Sequence, residues 1–272
     1  MTTPPRLPLL RNGILPLYPI SLTRSFRNMA SILRYIFPLL VMAPICLSET
    51  KGGCGRNDPD FSQCVVNRMN DMRPTLKKGL PHLKIGSLDP MLVPMIRLKQ
   101  GNGPVSIDLI STDQIFRGMI NYEIKSANID LQNYKMEFTV TLPWLYVEGE
   151  SKIEGRILVL PIRGSGHSWS NYTSVSGKAV LMGHPTRKDD KEFFNLDKVK
   201  FDIFVKKATM HMNNLFNGNQ QLGEAVNTLM KENWEVVFQE MKPVVDQTVE
   251  ALIKDIASKV FKRYSLDEMF PK

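Results

Sequence analysis

The side chains that could take part in catalysis are scattered through the sequence. The four histidines, His82, His167, His184 and His211, lie far apart, in or near turns and strand ends, without neighbouring residues of metal-ligating type. The hydrolase signatures GxSxG and HExxH and the phosphate-binding P-loop are absent. No pair of carboxylates in an apolar setting suggests a general acid and base. The sequence therefore predicts a protein that is not an enzyme and that holds no metal and no cofactor.

Two cysteines and one asparagine indicate an exported protein. Cys54 and Cys64 are close enough in sequence to be candidates for a disulfide in an oxidising compartment, with two free thiols as the alternative. Asn171 begins the N-glycosylation sequon Asn171-Tyr172-Thr173. Cys-x-x-Cys spacing and Cys/His clusters are absent, so a zinc site has no support.

The positive charge of the chain is concentrated at its beginning. The formal net charge is +8, and residues 1–48 contain five arginines and no acidic residue. The rest of the chain therefore carries only +3, because it holds 30 of the 35 basic residues and all 27 acidic ones. It also lacks a basic stripe interleaved with aromatic residues, so we predict no nucleic-acid partner.

Residues 1–48 are predicted to form a leader with a secretory signal peptide. If translation starts at Met29, a short basic region ends at Arg34, an apolar run follows over residues 35–47, and Ser48 suits the cleavage position. The alternative, an uncleaved membrane anchor, is disfavoured because the run is short and interrupted by Pro38 and Pro44. We expect one mature domain over residues 49–272.

The longest regular pattern lies between Gln220 and Arg263. Apolar residues recur there in steps of three and four, which is typical of an amphipathic helix with a wide apolar stripe. Asn219 is a candidate N-cap. About 40 residues at 1.5 Å each would give about 60 Å of helix, longer than the roughly 45 Å diameter of a compact domain. We therefore expect an elongated fold, and a bend at Pro243.

The other elements are a short helix and a sheet. Asp58-Pro59-Asp60 is predicted to begin the helix, which Gly79 closes. From Val105 to His211 apolar and polar residues alternate with a period of two, interrupted by glycine-containing turns. No crossover helix fits between these segments, so the sheet is predicted to be antiparallel with one face in water.

The apolar sheet face and the apolar helix stripe are expected to pack together around one interior. By composition alone a filled core is the default, although methionine-rich interiors also suit flexible hydrophobic ligands. The residues predicted to face this interior, and so to line any ligand tunnel within it, are Met136, Phe138, Val140, Ile157, Val159, Phe201 and Ile203 on strands, and Trp234, Met241 and Val245 on the helix.

Short motifs in a fixed order cover essentially the whole mature chain. They lie at residues 54–64, 76–81, 88–90, 155–162, 164–166, 214–218, 222–223, 232–234, 241–243 and 267–271. On these motifs the sequence resembles the insect takeout and haemolymph juvenile-hormone-binding protein family.

The resemblance implies an α+β fold in which a highly curved antiparallel sheet wraps a long C-terminal helix, similar to lipid-binding TULIP-type domains. It also implies a tunnel for a hydrophobic ligand and an N-terminal disulfide that matches Cys54 and Cys64. The second disulfide of the juvenile-hormone-binding branch has no counterpart, which places the chain nearer the takeout branch.

We therefore predict an extracellular, secreted, monomeric carrier of one small lipophilic molecule, such as a juvenile-hormone-like terpenoid, a fatty acid or a quinone. Stable membrane insertion is not expected. The alternative is an extracellular lipid-transfer or membrane-surface lipid-binding protein, related in architecture to bactericidal permeability-increasing proteins, which would bind anionic liposomes.

Overall fold

The computed structural model describes residues 53–101 and 103–272. The leader and its cleavage position near Ser48 lie outside the described residues.

The described chain begins with two short helices, α1 (Phe61–Asp71) and α2 (Arg73–Lys78). The single predicted helix is divided because Pro74 lacks the N–H that would continue α1, whereas proline is tolerated in the first turn of α2. Helix α1 also begins two residues later than predicted. Asp58 accepts a hydrogen bond from the backbone N–H of Asp60 (2.9 Å) in the turn that precedes α1.

The predicted disulfide between Cys54 and Cys64 is present, with the two Cα atoms 5.7 Å apart. It ties the start of the described chain to α1. The same end of the molecule holds the C-terminus, because the backbone N–H of Arg56 donates to Pro271 O (2.8 Å). The rings of Phe61 and Phe270 meet edge to face with their centroids 5.2 Å apart.

Six strands form one antiparallel sheet in the order β1-β2-β4-β5-β6, and β3 pairs with the first part of β4. This confirms the predicted pairing. The strands are β1 (Met91–Gln100), β2 (Val105–Arg117), β3 (Glu123–Asp130), β4 (Lys135–Ile157), β5 (Leu160–Lys188) and β6 (Lys191–Met212).

The end of β4 differs from the expected strand. The alternation Ile153–Val159 suggested a strand that includes Val159, but β4 ends at Ile157. Leu158 has a positive φ of 53° and turns the chain directly into β5. Val159 lies in that turn with 84% of its surface exposed.

Three helices end the chain: α3 (Gln220–Glu232), α4 (Trp234–Arg263) and α5 (Leu266–Met269). Asn219 caps α3, as predicted, by accepting from the backbone N–H of Leu222 (3.1 Å). The single helix expected over residues 220–263 is divided. The interruption occurs at Asn233, which has non-helical φ and ψ of −113° and 27°, and its backbone N–H and side-chain amide both donate to Leu229 O (2.9 Å each). Helix α4 includes Pro243, and the bend expected there stays a prediction.

Helix α4 closes the sheet into a roll. It packs along β6 and also contacts β1 and β2 at the opposite edge of the sheet, so the sheet must curve around it. Two N–H groups of the β6 edge donate to carboxylates one turn apart on α4. Asp246 accepts from Ile203 N (3.0 Å) and Glu250 accepts from Phe201 N (3.1 Å). No helix in the described part of the chain is long and apolar enough to cross a membrane.

Candidate functional site

The buried apolar side chains form two separate clusters instead of one core. The larger cluster lies at the end of the molecule that holds the disulfide, and it includes Phe138, Phe201 and Ile256. The smaller cluster lies at the other end and includes Ile157 and Met230. A cavity of about 330 Å³ lies between them, and members of both clusters line it. The interior of the roll is therefore not a continuously filled core.

The wall of this cavity is mostly apolar and deformable. It includes side chains of β1, β2, β4, β5, β6, α3 and α4. Methionine is unbranched and polarizable, so its side chain can change shape around different ligands. Six methionines line the cavity: Met91, Met119, Met210, Met212, Met230 and Met241.

The structure brings together some of the residues predicted to line a tunnel. The cavity wall contains Val140, Ile157, Phe201, Ile203, Met241 and Val245.

Four other predicted residues lie elsewhere. Met136 and Phe138 face inward, as their alternation predicted, but they are buried in the larger cluster at the start of β4 and do not line the cavity. Trp234 is half-buried at the first position of α4, directly after the break at Asn233. Val159 does not face the interior as predicted, because it is exposed in the β4–β5 turn.

Sequence reasoning missed the contribution of β2 to the wall. Ile107, Leu109 and Ser111 line the cavity at alternate positions, and Gln114 follows them out of phase. The period of two in β2 contained the signal for the first three residues. No sequence signal indicated that Gln114 faces inward.

The wall carries no fixed charge. Among the described residues that line the cavity there is no aspartate, glutamate, lysine or arginine. Burial raises the pKa of the Tyr172 hydroxyl, which therefore stays protonated at neutral pH. The one histidine of the wall, His211, stacks on Trp169 with ring centroids 5.7 Å apart, and its Nε2 lies 3.0 Å from Asn213 Oδ1.

A group of polar side chains lies in the wall where β2, β4 and β5 meet. Ser111, Ser151 and Ser168 form a chain of hydroxyls, with Oγ–Oγ distances of 2.8 Å between Ser111 and Ser151 and 2.7 Å between Ser151 and Ser168. We call these three residues the serine cluster. Gln114 lies nearby, and its Nε2 donates to Thr112 O (3.0 Å) and Glu150 O (3.2 Å).

The remaining candidate residues do not assemble into a reactive centre. His184 Nδ1 pairs with Asp197 on the surface (2.7 Å), and His167 lies 4.0 Å from Glu148. Residues 53–101 and 103–272 contain no group of three or more His, Cys, Asp or Glu side chains that could hold a metal ion. Asn171 is exposed on β5, and its glycosylation stays a prediction.

The family model described as "Haemolymph juvenile hormone binding protein (JHBP)" matches residues 39–271. The chain belongs to this family. The resemblance inferred from the motifs is thereby confirmed.

Several relatives match most of the chain. The "Circadian clock-controlled protein daywake" of Drosophila yakuba is 21% identical over 215 residues, which cover 76% of this chain and 83% of the relative. The "Putative beta-carotene-binding protein" of Schistocerca gregaria is 23% identical over 219 residues, covering 79% of this chain and 86% of the relative.

A crystal structure supports the fold directly. Takeout 1 of Epiphyas postvittana matches with a TM-score of 0.67 at 22% identity, covering 78% of this chain and 96% of that one. The predicted fold, a curved antiparallel sheet around a long C-terminal helix, is confirmed.

Proposed function

We propose that this protein is a secreted, monomeric carrier that binds one small, uncharged hydrophobic molecule in the cavity between the two clusters. The observation that carries the proposal is the wall itself, which is apolar, rich in methionine and without a charged side chain among the described residues. Membership of a family named for hormone binding supports it, as does the locust relative named for binding beta-carotene.

Binding would be driven by removal of apolar surface from water. At about 30 Å³ for each water-sized group, the cavity has room for roughly eleven such groups. At about 0.8 kcal/mol per buried methylene they contribute about 9 kcal/mol. At least about 4 kcal/mol is lost with the freedom of the ligand, which leaves a Kd in the upper micromolar range. A ligand that also finds a polar partner in the wall binds more tightly.

The absence of charge in the wall selects among the candidate ligands. Terpenoids and quinones are uncharged, whereas a fatty acid is ionised at neutral pH. An ionised carboxylate buried without a cation is strongly unfavourable, so we place neutral ligands ahead of fatty acids.

The carrier proposal is tested by native mass spectrometry of protein secreted from insect cells. We expect a population whose mass exceeds that of the polypeptide and any attached glycan by one small molecule. Organic extraction should release an uncharged hydrophobic compound. Protein without such a compound, which after extraction also fails to take up neutral hydrophobic probes, would contradict the proposal.

The proposed secretion also predicts where the mature chain begins. We expect the secreted protein to begin near Glu49, because the basic and apolar segments that precede it have the order of a signal peptide. The disulfide and the sequon agree with an exported protein. Edman sequencing of the secreted product measures this directly, and recovery of the uncleaved chain in the membrane fraction would contradict it.

A further inference from the structure

A β-bulge in β2 places an amide side chain in the cavity wall where regular alternation would place a carboxylate. Ser111 and the alternate residues before it face inward, so regular alternation would next place Asp113 in the cavity. The pairing of β2 with β4 shifts between Thr112 and Ile115, and Asp113 adopts a left-handed φ of 52°. As a result Asp113 is exposed and Gln114, which is 5% exposed, faces the interior.

The opposite strand leaves space for the Gln114 side chain. Gly149 of β4 lies beside the bulge, and a Cβ atom at this position would be only 2.2 Å from Gln114 Nε2 and 2.8 Å from Thr112 O. The residue that faces the amide must therefore be a glycine. The bulge and the glycine together form a built pocket for this side chain.

Hydrogen bonds fix which atom of Gln114 is available to a ligand. Its Nε2 uses both hydrogens, one toward Thr112 O and one toward Glu150 O. These partners are backbone carbonyls, which can only accept, so the amide cannot be turned around. The side-chain oxygen of Gln114 is the group that remains, and it can accept a hydrogen bond.

The serine cluster adds a group that can donate. Its three hydroxyls have three hydrogens, and the two bonds between them use two. When Ser168 donates to Ser151 and Ser151 to Ser111, the hydroxyl hydrogen of Ser111 is free for a ligand. When the chain runs the other way, Ser168 can donate to Gly149 O at 3.4 Å, and Ser111 can then accept from a ligand.

We propose that Gln114 and the serine cluster form a subsite that binds the uncharged oxygen group, a hydroxyl or a carbonyl, of an otherwise hydrophobic ligand. This inference rests on the proposed carrier function. A ligand hydroxyl can donate to the Gln114 oxygen and accept from Ser111, and a ligand carbonyl can accept from Ser111. A carboxylate would find a donor there but no cation.

The test compares two probes that differ by one oxygen atom, 6-phenylhexan-1-ol and hexylbenzene. Calorimetry measures Kd for the alcohol, and headspace gas chromatography measures Kd for the hydrocarbon. In Ser111→Ala we expect Kd for the alcohol to rise about five- to tenfold, the effect of one lost hydrogen bond. Kd for hexylbenzene should stay within about twofold, because the hydrocarbon makes no hydrogen bond.

Two further variants keep the test decisive. Ser106→Ala makes the same change on the outer face of β2, where the hydroxyl bonds Gly101 O, and should alter neither Kd. Gln114→Met, which keeps the length of the side chain but removes the accepting oxygen, should repeat the selective loss for the alcohol if Ser111→Ala does not fold. Equal losses for both probes, or an unchanged Kd for the alcohol, would overturn the subsite. Failure of the unmodified protein to bind either probe would instead overturn the carrier function.

Discussion

6-Phenylhexanoic acid is expected to bind about a thousandfold more weakly than 6-phenylhexan-1-ol at about pH 7.5. The two compounds have the same size, so the difference comes from charge. The described wall offers no lysine or arginine to pair with a carboxylate, and burying the anion alone is more costly than protonating it. A carboxyl group with a pKa of about 4.5 lies about three pH units below that pH. Each unit costs the free energy of a tenfold change in affinity, so protonation weakens binding about a thousandfold.

The pH dependence has a definite sign. Because the protonated acid is the form that binds, the pKa of the ligand carboxyl is raised in the complex. Binding is strongest below the pKa of the free acid and weakens about tenfold for each pH unit above it. Near pH 5.5 the acid should therefore be only about tenfold weaker than the alcohol, whose affinity stays flat.

Calorimetry at three pH values, in buffers of different ionisation enthalpy, measures both the weaker affinity of the acid and its dependence on pH. We expect about one proton taken up with each bound acid. Equal affinities of acid and alcohol at about pH 7.5, without proton uptake, would contradict the account. Such a result would require a cation that reaches the bound carboxylate.

Val245→Trp is expected to abolish most ligand binding while leaving the empty protein folded. Val245 lies on α4 and lines the cavity. If the indole excludes about four methylenes of ligand, at about 0.8 kcal/mol each, binding weakens by about 3 kcal/mol, or about 200-fold. In a filled core the same change would instead overpack the interior and reduce the free energy of unfolding by about 1–3 kcal/mol.

Thermal unfolding of the ligand-free protein and calorimetry with 6-phenylhexan-1-ol distinguish these cases. The control is Gln247→Trp, two residues further along the same helix at an exposed position. It introduces the same ring without entering the cavity and should change neither measurement. Normal affinity in Val245→Trp, together with a lower unfolding temperature, would show a filled core at this position.

The fold could be predicted because its two main sequence periods extend over long segments. Alternation in β4 and β6 indicated half-buried antiparallel strands, and the stripe after Asn219 indicated the helix that covers them. The break within that helix, at Asn233, was not predicted. A proline in a helix removes one hydrogen bond, but its effect on the chain depends on tertiary packing, whereas Asn233 ends α3 with non-helical φ and ψ of −113° and 27°.

The site was harder to predict than the fold for two physical reasons. Alternation identifies which strand residues face inward, but not whether the interior beside them is filled. Met136 and Phe138 are inward-facing core residues, while Val140 on the same strand lines the cavity. Gln114 reaches the wall only because a bulge shifts the phase of β2 by one residue. A register shift of this kind depends on pairing with a distant strand and leaves no local pattern in the sequence.

The central claim is that the cavity binds ligands by burying apolar surface, and hexylbenzene tests it without any hydrogen bond. Headspace gas chromatography measures the free hydrocarbon above solutions of increasing concentrations of lipid-stripped protein. We expect a saturable decrease that fits one site per chain with a Kd in the upper micromolar range, and a much smaller decrease with Val245→Trp. A free concentration that does not change with the unmodified protein, or that changes equally with Val245→Trp, would contradict the claim.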